Sequence, residues 1–189
     1  MRMSHPLRRC PPAVSRSLVL ACLALAACAP AAPAGSASQP PAAPAAVDPA
    51  ADRKAIAAVL DDWHDAAAKA DEERYFGLMT EDSVFLGTDA TERWDKKAFR
   101  AYAHPHFAKG KAWKFRSVRR EIVIAAEGGS AWFDEDLETE RLGPARGSGA
   151  LVRTKDGWRI AHYNLTIPIP NDRFDAVKKI IAEGPPPAQ

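Results

Sequence analysis

Residues 156–165 read Asp-Gly-Trp-Arg-Ile-Ala-His-Tyr-Asn-Leu, and residues 149–155 before them read Gly-Ala-Leu-Val-Arg-Thr-Lys. Both runs favour β-strands, and the Asp156-Gly157 pair between them is typical of a two-residue hairpin turn. Such a turn places Lys155 opposite Trp158 in the ladder. Alternation along the second strand then puts four side chains on one face, which we predict to be the concave side of a sheet: Trp158, Ile160, His162 and Asn164.

Two more strands are predicted upstream of this hairpin. Residues 113–126 and 131–141 are rich in β-forming residues, and Glu127-Gly128-Gly129-Ser130 forms a turn between them. A shorter strand is expected over residues 84–86, before the turn Gly87-Thr88-Asp89. The pattern predicts an antiparallel meander in the second half of the domain.

Helices are predicted mainly before the meander. Asp48-Pro49 is an acidic N-cap followed by proline at the first helical position, and apolar residues at helical spacing follow it. Asp71 and Asp95 can cap two further helices, and residues 174–181 favour a short closing helix. Helices followed by an antiparallel sheet indicate an α+β fold.

Four strings resemble those of the SnoaL-like group of the nuclear-transport-factor-2-like superfamily, over about residues 52–172. They are Val84-Phe85-Leu86-Gly87-Thr88-Asp89, Glu92-Arg93-Trp94, Ala131-Trp132-Phe133-Asp134-Glu135-Asp136 and the stretch 156–165. The resemblance implies N-terminal helices packed in a strongly curved antiparallel sheet, a cone-shaped half-barrel with an internal pocket. It does not imply one activity, because the superfamily includes isomerases, dehydratases, hydrolases, cyclases, binding domains and oligomerisation domains.

The N-terminus predicts export. Four arginines precede the short apolar run 18–27, as in a secretory signal peptide. Leu25-Ala26-Ala27-Cys28 resembles the lipobox of bacterial lipoproteins, which implies a signal over residues 1–27 and a lipid on Cys28. The alternative is an ordinary signal peptide cut near Ala27 or Ala34. Ala29 after the cysteine favours, by the same resemblance, a lipid anchor in the outer membrane of a bacterial envelope, facing the periplasm.

The next segment predicts a tether rather than a fold. Residues 28–50 are almost entirely alanine and proline, which excludes both a helix and a hydrophobic core. We therefore expect the domain over residues 51–183 and a flexible tail over residues 184–189. Loss of the four signal arginines changes the formal charge from +2 to −2, so nothing indicates a nucleic-acid partner, and the lipid is the expected membrane contact.

Acid–base candidates come from the predicted inner face. His162 is the first, because an imidazole titrates near neutral pH. Glu135, expected beside Arg153, is the first candidate for its carboxylate partner; a one-residue slip would bring Asp134 inward instead. The alternatives are a histidine that only packs in the core and an acidic edge that only pairs with arginines at the surface.

Aromatic side chains are the candidates for a pocket lining, although a core of this size needs them as well. Trp94, beside charged residues in a predicted loop, is expected at the mouth. We expect no cofactor and no metal site, because His104-Pro105-His106 lacks the spacing of a zinc site. The candidate ligand-binding residues are Trp63, Tyr75, Phe85, Trp94, Phe115 and Asn164.

Two classes of function remain open. In the first, the pocket binds a small, largely apolar molecule, or turns it over by acid–base chemistry without a cofactor. In the second, aromatic residues fill the pocket and the protein is a scaffold. The outer face of the sheet, where the predicted register places Trp132, Tyr163 and Leu165, then forms a homodimer or contacts another protein of the cell envelope. Binding is favoured over catalysis, because no catalytic constellation is fixed by the sequence.

Overall fold

The computed structural model describes residues 48–184. The predicted signal over residues 1–27, Cys28, most of the predicted tether and the last five residues lie outside this part. None of the described helices is both long and apolar enough to cross a membrane.

Helices and one mixed six-stranded sheet build the domain, which confirms the predicted α+β class. The order of strands is β2-β1-β6-β5-β4-β3, and the sheet curls around the helices. All neighbours are antiparallel except β1 and β6, which are parallel, so the sheet is not a simple meander. The elements are α1 (Pro49–Ala68), α2 (Glu72–Gly77), β1 (Met79–Leu86), β2 (Arg93–Asp95), α3 (Lys96–Ala108), β3 (Arg116–Ile124), β4 (Ser130–Thr139), β5 (Gly143–Thr154), β6 (Gly157–Thr166), a 3-10 turn (Asn171–Arg173) and α4 (Phe174–Glu183).

Local sequence signals set the starts of three helices. The side chains of Asp48, Asp71 and Asp95 accept hydrogen bonds from the first backbone N–H groups of α1, α2 and α3. Each carboxylate satisfies donors that the helix cannot, and it lies at the positive end of the helix dipole. All three caps are those that the sequence predicts.

The core lies between α1 and the inner face of the sheet. Ile56, Leu60 and Trp63 of α1 are fully buried against it. Along β4 the inner face consists of residues 131, 133, 135 and 137, all buried. Alternation with period two therefore holds throughout this strand, and the acidic residues at 134 and 136 point outward.

One cluster ties the start of α1 to the β5–β6 hairpin. Asp52 Oδ1 accepts a hydrogen bond from Trp158 Nε1 at 3.3 Å, and Asp52 Oδ2 lies 2.5 Å from the guanidinium of Arg153. That guanidinium also stacks over the indole of Trp158, 4.6 Å from the ring centroid. The contacts hold the hairpin against the helix.

The hairpin turn lies one residue earlier than predicted, so the pairing of the two strands is displaced by two residues. Thr154 pairs with Gly157, so the turn residues are Lys155 and Asp156, and Gly157 has a positive φ of 100°. Thr154 Oγ1 accepts a hydrogen bond from the backbone N–H of Asp156, which closes the turn one residue early. Leu151 consequently lies opposite Ile160 and not opposite His162.

A β-bulge changes the face of the second half of β6. Ile160 pairs with Leu151 and His162 with Ala150, which leaves Ala161 as an extra residue on β6. Side chains before the bulge face inward as predicted, at Trp158 and Ile160. After it the order is reversed: residues 163 and 165 are buried, and residues 162 and 164 are on the outer face.

Candidate functional site

A cavity of about 710 Å³ opens at one end of the curled sheet. Its walls come from α1, α2, α3 and the ends of β1 and β6, and its rim from residues 87–92, 110–115 and 139–142. Five of the six predicted lining residues are there: Trp63, Tyr75, Phe85, Trp94 and Phe115. The structure adds Phe99, Tyr102, Trp113, Leu142, Tyr163 and Leu165 to the apolar and aromatic lining.

The inner end of the cavity is a continuous stack of aromatic rings. Trp63 stacks on Tyr75 and lies against Tyr163, with ring centroids 4.6 Å apart in both pairs. Phe85 stacks on Phe99 at 4.0 Å. All five side chains are buried. Offset and tilted aromatic pairs at these separations pack densely.

Two polar groups within this stack lack a hydrogen-bond partner among the described residues. They are the indole Nε1 of Trp63 and the hydroxyl of Tyr75. Burial raises the pKa of Tyr75 well above its ordinary value, so the hydroxyl keeps its proton; the indole N–H of Trp113 acts on the hydroxyl oxygen in the opposite direction. Buried donors are nearly always satisfied in proteins, so these two mark an unusual place.

Around the rim, aromatic and charged side chains alternate. Trp94, Trp113 and Phe115 are half-buried, and Tyr102 is exposed and stacks on Trp94 at 4.6 Å. Charged side chains of both signs complete the rim: Lys111, Lys114, Arg141, Glu92 and Glu140. The mouth is therefore amphipathic, whereas the inner end is aromatic.

Behind the Tyr163 ring lies a fully buried carboxylate. Glu135 Oε1 accepts hydrogen bonds from His64 Nε2 at 2.8 Å and from the Tyr163 hydroxyl at 3.0 Å. Oε2 accepts one from Arg120 Nε at 2.8 Å. Arg120 itself donates further to the backbone carbonyl of Ala57. Every polar atom of the carboxylate is thus occupied.

Opposing effects act on the pKa of this carboxylate. Burial raises the pKa of Glu135, but the hydrogen bonds and charges of His64 and Arg120 outweigh burial and hold it below its ordinary value. For Tyr163 the effects add, because burial and the adjacent carboxylate both raise the pKa well above 10. Glu135 is therefore an ionised acceptor and Tyr163 a protonated donor.

A glycine makes the contact between Tyr163 and Glu135 possible. A Cβ at Gly147, which pairs with Glu135 across β4 and β5, would overlap the Tyr163 hydroxyl and lie 2.9 Å from Glu135 Oε1. Gly149 has a similar role at the bulge, since a Cβ there would overlap the backbone carbonyl of His162. Glycines inside a strand commonly mark such close approaches.

Four of the predicted site residues do not line the cavity, and three of these are on the outer face. His162 and Asn164 are on the outer face, because the bulge at Ala161 reverses the alternation. Asp134 is also on the outer face, where it pairs with Arg119 at 3.1 Å. Glu135 does face inward, but it pairs with Gly147 rather than Arg153, and its histidine partner is His64.

The prediction for the outer face of the sheet is correct for one residue and wrong for two. Trp132 is there as predicted, with 53% of its surface exposed, but Tyr163 and Leu165 are buried on the inner face. The one-residue displacement by the bulge explains both exchanges.

Sequence reasoning missed His64 and the role of Arg120. His64 follows Leu60 by four residues and precedes Ala67 by three, so it lies on the apolar stripe of α1, and a histidine at such a position needs a buried partner. Arg120 gave no comparable signal, since β3 carries three arginines between residues 116 and 120. Within residues 48–184, no cluster of three or more His, Cys, Asp or Glu side chains could hold a metal ion.

Comparison with solved structures gives the same fold. An NTF2-like protein of unknown function from Pseudomonas putida KT2440 superposes with a TM-score of 0.55 at 14% identity, over 67% of this chain and 93% of that one. A cystatin-like-fold protein of unknown function from Nostoc punctiforme gives 0.54 at 14%, over 65% and 96%. A proposed dehydratase of the NTF2-like family from Streptomyces avermitilis gives 0.56 at 13%, over 65% and 100%.

Sequence comparison identifies the family directly. No curated protein matches the sequence significantly. The family model described as a SnoaL-like domain, however, matches residues 56–170, which include all the secondary structure from α1 to β6 apart from the first turns of α1. The chain belongs to the family of SnoaL-like domains.

Proposed function

We propose that this domain binds a small, largely apolar molecule in the aromatic cavity, and that it does so as a lipoprotein tethered to the bacterial cell envelope through Cys28. The observation that supports the binding proposal is the cavity itself. Its volume of about 710 Å³ falls in the range of roughly 300–1,000 Å³ that small-molecule sites occupy, and its inner lining is almost wholly aromatic.

The unpartnered donors favour a ligand that carries a hydrogen-bond acceptor. An oxygen atom of the ligand that reaches the inner end of the cavity would satisfy the Trp63 N–H or the Tyr75 hydroxyl. A flat, unsaturated skeleton would stack on the rings around them. Satisfying one buried donor is worth about 1–3 kcal/mol, enough to select among apolar molecules of similar size.

Binding is favoured over acid–base catalysis for a specific reason. Glu135, the buried carboxylate nearest the cavity, does not belong to its lining and has no free oxygen. Its lowered pKa also makes it a weak base. His162 lies on the other side of the sheet. A cofactor-independent enzyme would therefore need catalytic groups other than the pair that the sequence suggested.

A homodimer through the outer face is compatible with this function. Trp132, Val118 and Val123 expose large apolar side chains there. A dimer would cover them and leave the cavity mouths open, since the outer face and the cavity are on opposite sides of the sheet.

Native mass spectrometry tests the binding proposal. The protein is purified gently from the organism that makes it, and the spectrum is searched for a bound small molecule. We expect a co-purifying apolar ligand that is lost in Trp94→Ala, at the cavity mouth, and retained in Trp132→Ala, the matched exposed tryptophan on the outer face. A ligand-free spectrum, with no change of indole fluorescence on adding apolar aromatic probes, would overturn the proposal.

Metabolic labelling with a radioactive fatty acid tests the tether separately. The wild-type chain is expected to take up label and to sediment with the envelope. Cys28→Ser should lose both, because a serine cannot form the thioether, whereas Cys22→Ser, six residues upstream, should keep both. Equal labelling of the two variants would refute lipidation at Cys28.

A further inference from the structure

The cavity lining includes two carboxylates, of which Glu92 is half-buried and Glu140 is exposed. Glu92 Oε2 accepts one hydrogen bond, from the backbone N–H of Asp89 at 3.2 Å. Within residues 48–184, Glu92 forms no ion pair and its Oε1 accepts no hydrogen bond. Glu92 thus differs from the buried Glu135, because it keeps an acceptor oxygen that a ligand can use.

The register of β1 and β2 directs the Glu92 side chain inward. Leu86 pairs with Arg93 at the end of the two strands. The Gly87 N–H donates to the Glu92 carbonyl at 2.9 Å, so these two residues form the next pair. Because side chains alternate along a strand, Glu92 is on the same face as Trp94, which also lines the cavity.

A glycine allows the carboxylate to take this position. A Cβ at Gly87 would overlap Glu92 Oε2 and would lie 2.9 Å from the Cβ and Cδ of Glu92. The Glu92 side chain therefore lies against the backbone of residue 87, and any larger residue at 87 would displace it. An acceptor that is already held in one place loses little conformational entropy when a ligand binds to it.

The two ends of the cavity have opposite hydrogen-bonding character. At the inner end, Trp63 Nε1 can only donate, and the Tyr75 hydroxyl has no acceptor among the described residues. At the mouth, an ionised Glu92 can only accept. A molecule that extends through the cavity would meet donors at its inner end and an acceptor at its outer end.

The charges at the mouth favour a neutral donor. Lys111, Lys114 and Arg141 are exposed on the other two rim segments, and they disfavour an ammonium group there. Glu92 in turn disfavours a ligand carboxylate near it. A hydroxyl group has no charge, and a hydrogen bond from it to a carboxylate is stronger than one between two neutral groups.

We propose that Glu92 is a specificity-determining residue that accepts a hydrogen bond from a neutral hydroxyl group of the ligand at the cavity mouth. The ligand is then an unsaturated, largely apolar molecule with an oxygen acceptor at one end and a hydroxyl donor at the other. This inference rests on the proposed binding function and adds to it the polar groups that select the ligand. Gly87 positions the carboxylate for this contact.

A matched pair of probes tests the role of Glu92. An acetylnaphthol with its carbonyl and hydroxyl groups at opposite ends of the ring system has both polar groups. Its methyl ether keeps the ring and the carbonyl but cannot donate. Isothermal titration calorimetry on the full-length protein at neutral pH measures both affinities. We expect the naphthol to bind roughly ten-fold more tightly than the ether, because the carboxylate is a charged acceptor.

Three variants should reduce this preference. Glu92→Met keeps the length of the side chain but is only a weak acceptor, so the two affinities should agree within about two-fold. Glu92→Gln can still accept from the Asp89 N–H, which preserves the loop, and should keep a preference of about two- to three-fold. Gly87→Ala should lose the preference while the carboxylate is still present, because the new Cβ displaces it. Glu121→Met makes the same change of charge at an exposed position of β3, and this control should keep the wild-type preference.

Three results would overturn the role of Glu92 and leave the binding function standing. Equal binding of the two probes to the wild type would show that water satisfies this carboxylate. An unchanged preference in Glu92→Met would place the acceptor elsewhere. Tightest binding by the corresponding naphthoic acid would show that the rim cations select the ligand. If neither probe binds and no molecule co-purifies, the binding function itself fails, and the role of Glu92 fails with it.

Discussion

Three consecutive acids of β4 lie in two different environments. Glu135 points inward, has no exposed surface, and bonds to His64, Tyr163 and Arg120. Asp134 and Asp136 point outward and share the half-exposed guanidinium of Arg119. All three side chains carry the same charge, so a difference in what they contribute to stability comes from their different exposure to solvent. Removing one member of a buried ion pair leaves the other charge buried and uncompensated, whereas the remaining member of an exposed pair is solvated by water.

The largest effect should follow Glu135→Ala. It leaves His64 buried without its acceptor, leaves Arg120 with only Asp61 and the Ala57 carbonyl, and opens a small cavity, so we expect a loss of about 3 kcal/mol in the free energy of unfolding. Urea denaturation at neutral pH measures it. A loss below about 1 kcal/mol would show that the inner carboxylate has the same energetic weight as the outer ones.

A smaller loss is expected from Gly147→Ala. The new Cβ overlaps the Tyr163 hydroxyl, so the hydrogen bond to Glu135 must break or the strand must shift, at a cost of about 1–3 kcal/mol. Gly77→Ala is the control, because a Cβ there meets no atom within 4 Å. It should be neutral or slightly stabilising in thermal denaturation. Equal melting temperatures for the two variants would contradict the close approach at Gly147.

The dependence of stability on pH tests whether the inward-facing Glu135 is ionised in the folded protein. Because the folded-state pKa of Glu135 is below its ordinary 4.5, the ionised form stabilises the fold; this contribution is complete above about pH 4.5 and is lost as the pH falls through the lower, folded-state value. Denaturation midpoints of wild type and Glu135→Gln should therefore converge as the pH falls below about 4.5. A gap that stays constant as the pH falls from neutral would mean that the carboxylate is not ionised in the fold.

The smallest effect belongs to the outer face. Asp134→Asn removes one contact of the exposed Arg119, which keeps Asp136 at 2.9 Å. Surface ion pairs contribute about 0–1 kcal/mol, so we expect a change below about 0.5 kcal/mol in urea denaturation at low salt. A loss above about 1 kcal/mol would indicate that this face is covered, for example in a dimer through Trp132.

The candidate site could be predicted in part. Five aromatic residues of the lining were identified because large apolar side chains on the inner elements have few other places to lie. Trp158 and Ile160 were placed inward correctly, since strand alternation is a local property. His162 and Asn164 were placed wrongly, because a single extra residue at Ala161 exchanges the two faces.

Features that depend on neighbours along the chain can be predicted without the structure: the caps at Asp48, Asp71 and Asp95, the α+β order, and the family. Features that depend on contacts between residues far apart in the chain become visible only in the folded domain. His64 and Glu135 are 71 residues apart in the chain, and at the bulge Gly149 lies where a Cβ would overlap the backbone of the next strand. Helix and strand periodicity and secondary-structure propensity depend on a few neighbouring residues. The partner of a buried charge depends on how distant segments pack, which no local sequence pattern encodes.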